Sequence, residues 1–192
     1  MAKLYFYFAS MNAGKSALLL QTAFNYRERG MDVSLWTAGV DDRAEQRGID
    51  SRIGLRSAAH HFDGQTDIAA RVLAMQQEDG PIACVLVDEA QFLSPEQVWH
   101  LARLTDRHDI PVICYGLRTD FQGRLFPGSA ELLGIADKLV EMKAVCHCGR
   151  KATMNQRVDA AGNAVTCGAQ TEIGGNERYV AVCRRHFVKA EA

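Results

Sequence analysis

Short apolar runs alternate along the chain with segments whose apolar residues recur at helical spacing. Runs with the length and β-rich composition of buried strands lie at 4–9, 32–38, 82–87 and 110–117. Amphipathic helices are predicted at 14–30, 66–79 and 94–108, and a last strand at 138–146. Ser94 as N-cap and Pro95 at the first helical position indicate where the third helix begins. Because strand, helix and strand follow one another from residue 4 to residue 38, we expect a right-handed βαβ unit and an α/β fold with a parallel sheet flanked by helices.

Two stretches of the chain depart from this alternation. The polar, glycine-studded segment 39–64 is predicted to be mostly a long loop, and loops of that length are often functional. From residue 145 onward Cys, Gly, Asn and Arg dominate, and no long helical pattern appears. The sequence therefore predicts two modules, an α/β domain at 1–144 and a small lobe at 145–192.

Composition and charge narrow the class of protein. The 192 residues are 47% hydrophobic and 23% charged, which is typical of a soluble globular domain. The net charge of -1 gives no electrostatic reason to expect nucleic acid as a partner. No apolar stretch reaches the roughly 18 residues of a membrane span. Because the short apolar run at the start leads straight into a candidate binding motif, we interpret it as mature chain and expect a cytoplasmic protein without a membrane partner.

The segment ASMNAGKS lies between the first predicted strand and the first predicted helix. That context is typical of a phosphate-binding loop, where backbone N–H groups and the positive end of a helix gather phosphate oxygens. Gly14 permits close backbone approach, Lys15 would neutralise the β- and γ-phosphates, and the Ser16 hydroxyl can ligate Mg²⁺. Alanine replaces the usual first glycine, which is tolerable if its backbone stays in the β region. The nucleotide-binding residues predicted here are Ala9, Ser10, Met11, Asn12, Ala13, Gly14, Lys15 and Ser16. The alternative interpretation is an ordinary turn before a helix.

A second motif, VLVDEAQF, delivers two acids at the end of a buried strand. Ligands of open α/β sheets bind at the carboxyl ends of the strands, so this pair favours the nucleotide-site interpretation over a surface acid pair. Asp88 can hold Mg²⁺ opposite Ser16, and Glu89 is then available to act on the nucleophile. Ala90 and Gln91 complete the predicted second nucleotide-binding segment.

Three activities are compatible with such a site: a small-molecule kinase, a helicase-like ATPase and a nucleotide-dependent switch. A helicase needs two such domains and a basic track for nucleic acid, and this chain has neither the length nor the charge. A guanine-specific switch would carry Asn-Lys-x-Asp, to which YGLRTD is a poor match. A kinase needs a general base for the acceptor hydroxyl, and Glu89 supplies one.

Cysteines cluster in the last quarter of the chain, as C-x-C and C-x-x-H pairs. Cys146, Cys148, Cys183 and His186 would form a closed, structural Zn²⁺ site. Cys167 is a rival ligand with no partner nearby in sequence, and His147 is interpreted as an exposed spacer. A small polar lobe without a core needs such a metal to fold.

With these pieces together, the chain resembles the type II thymidine kinases over nearly its whole length, and the bacterial branch most closely. The segments that carry the resemblance are MNAGKS, DDR, VLVDEAQF, CYGLRTDFQGRLFPGS, CHCGRKA and IGGNERYVAVCRRH. The resemblance implies a P-loop, RecA-like domain, a zinc lobe, and Mg²⁺-dependent transfer of the ATP γ-phosphoryl group to the 5′-hydroxyl of thymidine or deoxyuridine. It also implies Glu89 as the catalytic base, a homotetramer, and feedback inhibition by thymidine triphosphate.

The resemblance further implies a nucleoside pocket closed by a lasso-like loop, QTEIGGNERY. Its predicted substrate-binding residues are Met11, Leu117, Phe121, Phe126, Gln170, Thr171, Glu172, Ile173, Gly174 and Tyr179. The alternative for the two phenylalanines is plain packing at the junction of the modules. Arg157 is expected to reach phosphate and Arg43 to order near the site on binding, while Asn155 falls where animal members carry a threonine beside the thymine methyl.

Overall fold

The computed structural model describes residues 1–39, 48–170 and 178–189. Its strands, in chain order, are β1 (Leu4–Ala9), β2 (Asp32–Ala38), β3 (Ile49–Asp50), β4 (Arg56–Ser57), β5 (His60–Phe62), β6 (Ile82–Val87), β7 (Val112–Leu117), β8 (Lys138–Glu141), β9 (Ala144–Val145), β10 (Lys151–Ala152), β11 (Met154–Val158), β12 (Ala164–Val165) and β13 (Tyr179–Val182). The α-helices are α1 (Lys15–Arg27), α2 (Ile68–Glu78), α3 (Pro95–His108) and α4 (Pro127–Ile135). Short 3₁₀ turns lie at Ala90–Phe92 and Arg184–His186.

Six of the described strands form a parallel sheet in the order β5-β2-β6-β7-β1-β8. The register places Ala9 beside Leu117 and Val87 beside Cys114, so β1, β7 and β6 end at the same edge. In parallel sheets that carboxyl edge is where ligands bind. The predicted α/β fold with a parallel sheet flanked by helices is confirmed.

Helices cover both faces of the sheet because neighbouring strand residues point to opposite faces. On one face, Leu19 and Ala23 of α1 pack against Leu86 and Tyr115. On the other face, α2, α3 and α4 pack against the alternate residues, among them Phe6 and Val87. The third helix begins as predicted, with the Ser94 hydroxyl accepting a hydrogen bond from Gln97 N and the Gln97 side chain accepting one from Ser94 N.

The prediction of a long loop at 39–64 is wrong in part. Residues His60–Phe62 form β5, which pairs with β2 and becomes the edge strand of the main sheet, and β3 pairs with β4. Phe62 is buried, and the His60 ring lies 4.9 Å from that of Trp36, which explains why a strand forms there. Residues 40–47, which include Arg43, lie outside the described part of the chain.

The lobe after β8 is built from short antiparallel strands. The hairpin β9–β10 and the three-stranded sheet β12-β11-β13 share a small core formed by Ala144, Cys146, Ala152, Val182 and Cys183. In the described residues no helix is both long and apolar enough to cross a bilayer.

Candidate active site

The loop between β1 and α1 has the backbone of an anion site. Gly14 is the N-cap of α1 with φ 82° and ψ 22°, a left-handed conformation that favours glycine. It caps the helix with no side chain, which leaves the first-turn N–H groups available to a ligand. Ala9 is the last residue of β1 and lies outside the positive-φ residues, so alanine fits there as expected; Asn12 adopts φ 64° instead.

Lys15, the first residue of α1, is buried, and its ammonium donates to Ser10 O at 3.3 Å. Burial lowers the pKa of Lys15, and the nearby Glu89 and Asp88 carboxylates partly offset that effect. This places the Lys15 charge in the field of both acids. The strands β1 and β6 end at the same edge of the sheet, so the loop after β1 and the acid pair after β6 lie on the same side of the fold.

Asp88 and Glu89 follow β6 at the carboxyl edge of the sheet. Asp88 is buried, and its carboxylate accepts from Glu89 N at 3.0 Å. Burial, with the charge of Glu89 second, raises the pKa of Asp88 to about 6. The Ser16 hydroxyl and the Glu89 N–H partly offset the rise in the pKa of Asp88 that burial causes. Oxygen ligands from a hydroxyl and a carboxylate are those that Mg²⁺ prefers, so Ser16 and Asp88 fit that ion.

Glu89 is half-buried and has φ 53°, which is uncommon outside glycine. The next two residues are both buried. The Gln91 side-chain amide donates to Glu89 Oε2 at 2.5 Å, and its oxygen accepts from Leu117 N at 3.0 Å. Gln91 thus connects the acid to the end of β7, a role that the sequence did not predict because it depends on a contact 26 positions away.

The segment after β7 carries the predicted aromatic residues. Leu117 is half-buried, and its carbonyl accepts from the Ser129 hydroxyl at 2.5 Å. The Arg157 guanidinium lies over the buried Phe121 ring at 4.2 Å, and Phe126 packs edge-on against Phe92. Contact of these rings with a nucleoside base stays a prediction.

Arg157 of the lobe is buried between the ring of Phe121, in the segment after β7, and the ring of Tyr179, in β13. Its Nε donates to the Tyr179 hydroxyl at 3.3 Å, and its terminal nitrogens donate to Ala169 O. Gln170 donates to Asp120 Oδ2 at 3.0 Å, which joins the lobe to the segment after β7. The remaining predicted lasso residues, Thr171, Glu172, Ile173 and Gly174, lie outside the described part of the chain.

Four side chains of the lobe converge as the C-x-C and C-x-x-H spacing predicts. The donor atoms of Cys146, Cys148, Cys183 and His186 lie within 4.8 Å of one another. Cys148 Sγ lies 3.8 Å from Cys183 Sγ, and His186 Nδ1 lies 3.5 Å from two of the sulfurs. Tetrahedral zinc with Zn–S bonds of about 2.3 Å separates its sulfurs by about 3.8 Å, so the cluster fits Zn²⁺. Cys167 is exposed and lies outside this cluster.

His147 is exposed, as predicted, but is more than a spacer. Its ring stacks on that of His186 with centroids 4.4 Å apart and an interplanar angle of 28°. The contact restrains the orientation of a candidate metal ligand.

The fold and site define a P-loop-like α/β protein, because an anion-binding loop follows β1 and an acid pair follows β6 of one parallel sheet. Its lobe carries a Cys₃His cluster that could bind a metal ion. The model of the thymidine kinase family matches residues 2–187, so the chain belongs to the thymidine kinase family.

Three relatives span nearly the whole chain. A thymidine kinase of Novosphingobium aromaticivorans is 68% identical over 190 residues, which cover 99% of this chain and 98% of that protein. Thymidine kinases of Agrobacterium fabrum and Ruegeria pomeroyi are 58% and 57% identical, over 98% and 99% of this chain and 97% and 96% of theirs.

Proposed function

We propose that this member of the thymidine kinase family transfers the γ-phosphoryl group of ATP to the 5′-hydroxyl of thymidine, with Glu89 as general base. One observation carries the residue assignment: β1 and β6 end at the same edge of the sheet, which brings Lys15 and Ser16 to the same side as Asp88 and Glu89, whose charges act on Lys15. That arrangement is what phosphoryl transfer requires, since the residues that hold the triphosphate must adjoin the base that activates the acceptor.

The chemical step follows from these positions. Glu89 takes the proton of the 5′-hydroxyl while the hydroxyl oxygen attacks the γ-phosphorus. The bond between that phosphorus and the β–γ bridging oxygen then breaks. The products are thymidine monophosphate and ADP. Lys15 and the N–H groups of the first turn of α1 stabilise the charge on the phosphates. Ser16 and Asp88 would hold Mg²⁺, which when bound neutralises charge on the triphosphate.

Gln91 acts through Glu89 rather than on ATP. Its side chain is buried and engaged at both ends, by Glu89 and by Leu117 N. We therefore assign it to positioning the base, although the sequence placed it among the nucleotide-binding residues. Glu89 keeps enough exposure to reach an acceptor hydroxyl.

The nucleoside side of the site includes Met11, Leu117, Phe121, Phe126 and Tyr179, together with the lasso segment from Gln170 onward. The arrangement of the described members around the end of β7 and the start of β13 supports this assignment. Deoxyuridine is proposed as a second substrate because it carries the same sugar hydroxyl.

Zn²⁺ is proposed as the structural ion of the lobe, one per chain, and the modules are proposed to divide at 144/145. The separate small core of the lobe and the distances among its four ligands support both proposals.

We also propose that the protein is a cytoplasmic homotetramer inhibited by thymidine triphosphate, and these proposals rest on the family resemblance. Size-exclusion chromatography with light scattering, with and without thymidine triphosphate, tests the assembly, and inhibition kinetics test the feedback.

A coupled assay for ADP, run with and without thymidine, tests the proposed function. We expect little ADP without the nucleoside and one thymidine monophosphate for each ADP when it is present. A rate of ADP formation that does not change when thymidine is added, or that rises only with single-stranded DNA, would contradict the proposal. Lys15→Met should abolish both products, whereas Lys143→Met, a change outside the site, should leave them at the wild-type level.

A further inference from the structure

We propose that Asn155 is a positioning residue that couples ATP binding to nucleoside binding, by tying the phosphate loop to the segment after β7. The inference rests on the proposed function. Asn155 lies within β11 of the zinc lobe and is buried. Its side chain contacts two loops of the α/β domain, the phosphate loop and the segment after β7.

The two ends of the Asn155 amide bind two different loops. Oδ1 accepts from Met11 N of the phosphate loop at 2.7 Å, and Nδ2 donates to Thr119 O at 3.0 Å. Thr119 lies two residues after β7 and two before Phe121. These partners are 144 and 36 positions from Asn155 in sequence, so the side chain joins three separate parts of the fold.

The chemistry of the two partners requires an amide at this position. Met11 N is a donor and Thr119 O is an acceptor, so the side chain must offer one acceptor and one donor in a fork. An aspartate would keep the bond to Met11 but turn a second oxygen towards Thr119 O. A leucine of similar size would leave the half-buried Met11 N–H and the buried Thr119 carbonyl without this partner, which is costly where water has little access.

Other hydrogen bonds also join the two modules. The Ser10 hydroxyl donates to Ala152 O and Arg118 Nη2 donates to Thr153 O, each at 3.5 Å. These contacts, with the bond from Gln170 to Asp120, are expected to keep the lobe docked when Asn155 is changed. Loss of Asn155 should then loosen the connection between the two loops without undocking the lobe.

Coupling follows from this connection. If a triphosphate fixes the position of Met11, the amide passes that restraint to Thr119 and to the aromatic segment beyond it. Linkage is reciprocal, so thymidine must tighten the ATP complex by the same factor as ATP tightens the thymidine complex. Couplings between two sites of one protein typically reach a factor of about five or more.

The test is calorimetric titration of wild-type protein with a non-hydrolysable ATP analogue and Mg²⁺, in the absence and presence of saturating thymidine. We expect thymidine to lower the Kd of the analogue by about fivefold or more in the wild type. In Asn155→Leu the ratio of the two Kd values should fall to near one, while zinc content remains at the wild-type level. Asn163→Leu, a matched change at an exposed asparagine of the same lobe, should keep the wild-type ratio.

Asn155→Asp provides the second variant if the leucine form does not fold, and its ratio should also fall. If Asn155 had only a structural role, its variants would have a lower Tm and bind both ligands more weakly, but the ratio of the two Kd values would stay as in the wild type. That result would overturn the inference. A ratio of one in the wild type would overturn it as well. Wild-type protein that binds no thymidine would instead mark failure of the proposed function.

Discussion

The side-chain amide of Gln91 donates to the Glu89 carboxylate at 2.5 Å while its oxygen accepts from Leu117 N at 3.0 Å. Glu89 has a left-handed backbone and begins a 3₁₀ turn, so its carboxylate is oriented by this contact as well as by the chain. The neighbouring β7 residue Gly116 leaves room for it, because a Cβ there would lie 2.9 Å from Gln91 Oε1.

Gln91→Leu removes the amide and should lower kcat by roughly tenfold to a hundredfold, the usual range for loss of an orienting partner. The KM for ATP should change little, because Gln91 is placed on the base and not on the nucleotide. Steady-state kinetics with Gln77→Leu, an exposed residue of α2, as the control would measure this. A raised KM for ATP with unchanged kcat would contradict the assignment.

Gly128 of α4 packs directly against the turn that follows Glu89. A Cβ at this position would lie 2.6 Å from Leu93 O and 2.7 Å from Ala90 O. Gly128→Ala should therefore cost about 1–3 kcal/mol of unfolding free energy and lower activity by shifting that turn. Gly134→Ala in the same helix meets nothing within 4 Å and should be neutral or stabilising by up to about 1 kcal/mol. Equal stability of the two variants in urea denaturation would show that the close packing is absent.

Asp88 should make the ligand-free protein less stable as the pH rises. Burial and the charge of Glu89 raise its pKa from 3.8 to about 6. Between these values the folded state holds a proton that the unfolded chain has released, so the free energy of unfolding falls as pH rises from about 4 to about 6. Asp88→Asn should remove that slope and be more stable at pH 7, by at most roughly 3 kcal/mol, while losing activity.

The measurement is the difference in unfolding free energy between wild type and Asp88→Asn across that pH range. Exposed Asp79→Asn serves as the control and should give a constant difference. A pH-independent difference for Asp88→Asn would mean that this carboxyl does not bind its proton more tightly in the folded state.

Removal of one metal ligand should unfold the lobe. Cys183→Ser leaves three donors and is expected to lose Zn²⁺, because structural sites contribute folding free energy through a complete ligand set. Cys167→Ser, which changes an exposed cysteine outside the cluster, should keep one Zn²⁺ per chain. Elemental analysis with limited proteolysis of the lobe measures both effects. Wild-type zinc content in the Cys183→Ser protein would refute the ligand assignment.

The strands in the middle of the sheet could be predicted because each is a continuous apolar run. The loop at 9–16 could be predicted because its Gly-Lys-Ser motif directly follows such a run. The edge strand His60–Phe62 could not be predicted, because three residues among polar neighbours show no hydrophobic periodicity. They form a strand only by pairing with β2. Its formation depends on packing of Phe62 and His60 against neighbours distant in sequence.

The chemical residues divide in the same way. Lys15, Ser16, Asp88 and Glu89 could be predicted because motif and strand end coincide. Gln91 was predicted only as a nucleotide-binding residue, and Asn155 was named only for its place beside the thymine methyl. Their roles as links between distant segments could not be predicted, because a buried amide has no sequence signature and its partners lie far along the chain. The four metal ligands were predictable from spacing alone, whereas the stacking of His147 on His186 depends on how the two pairs converge.

The proposed function requires the phosphate loop and the acid pair to act on one bound triphosphate, with Glu89 as base. Its most direct test compares Glu89→Gln with Glu78→Gln, an exposed control on α2, in turnover and in binding of a non-hydrolysable ATP analogue. We expect kcat for thymidine to fall by a factor of about 10²–10⁴ in Glu89→Gln, while the Kd of the analogue stays near the wild-type value. Thymidine phosphorylation at the wild-type rate in Glu89→Gln would contradict this proposal.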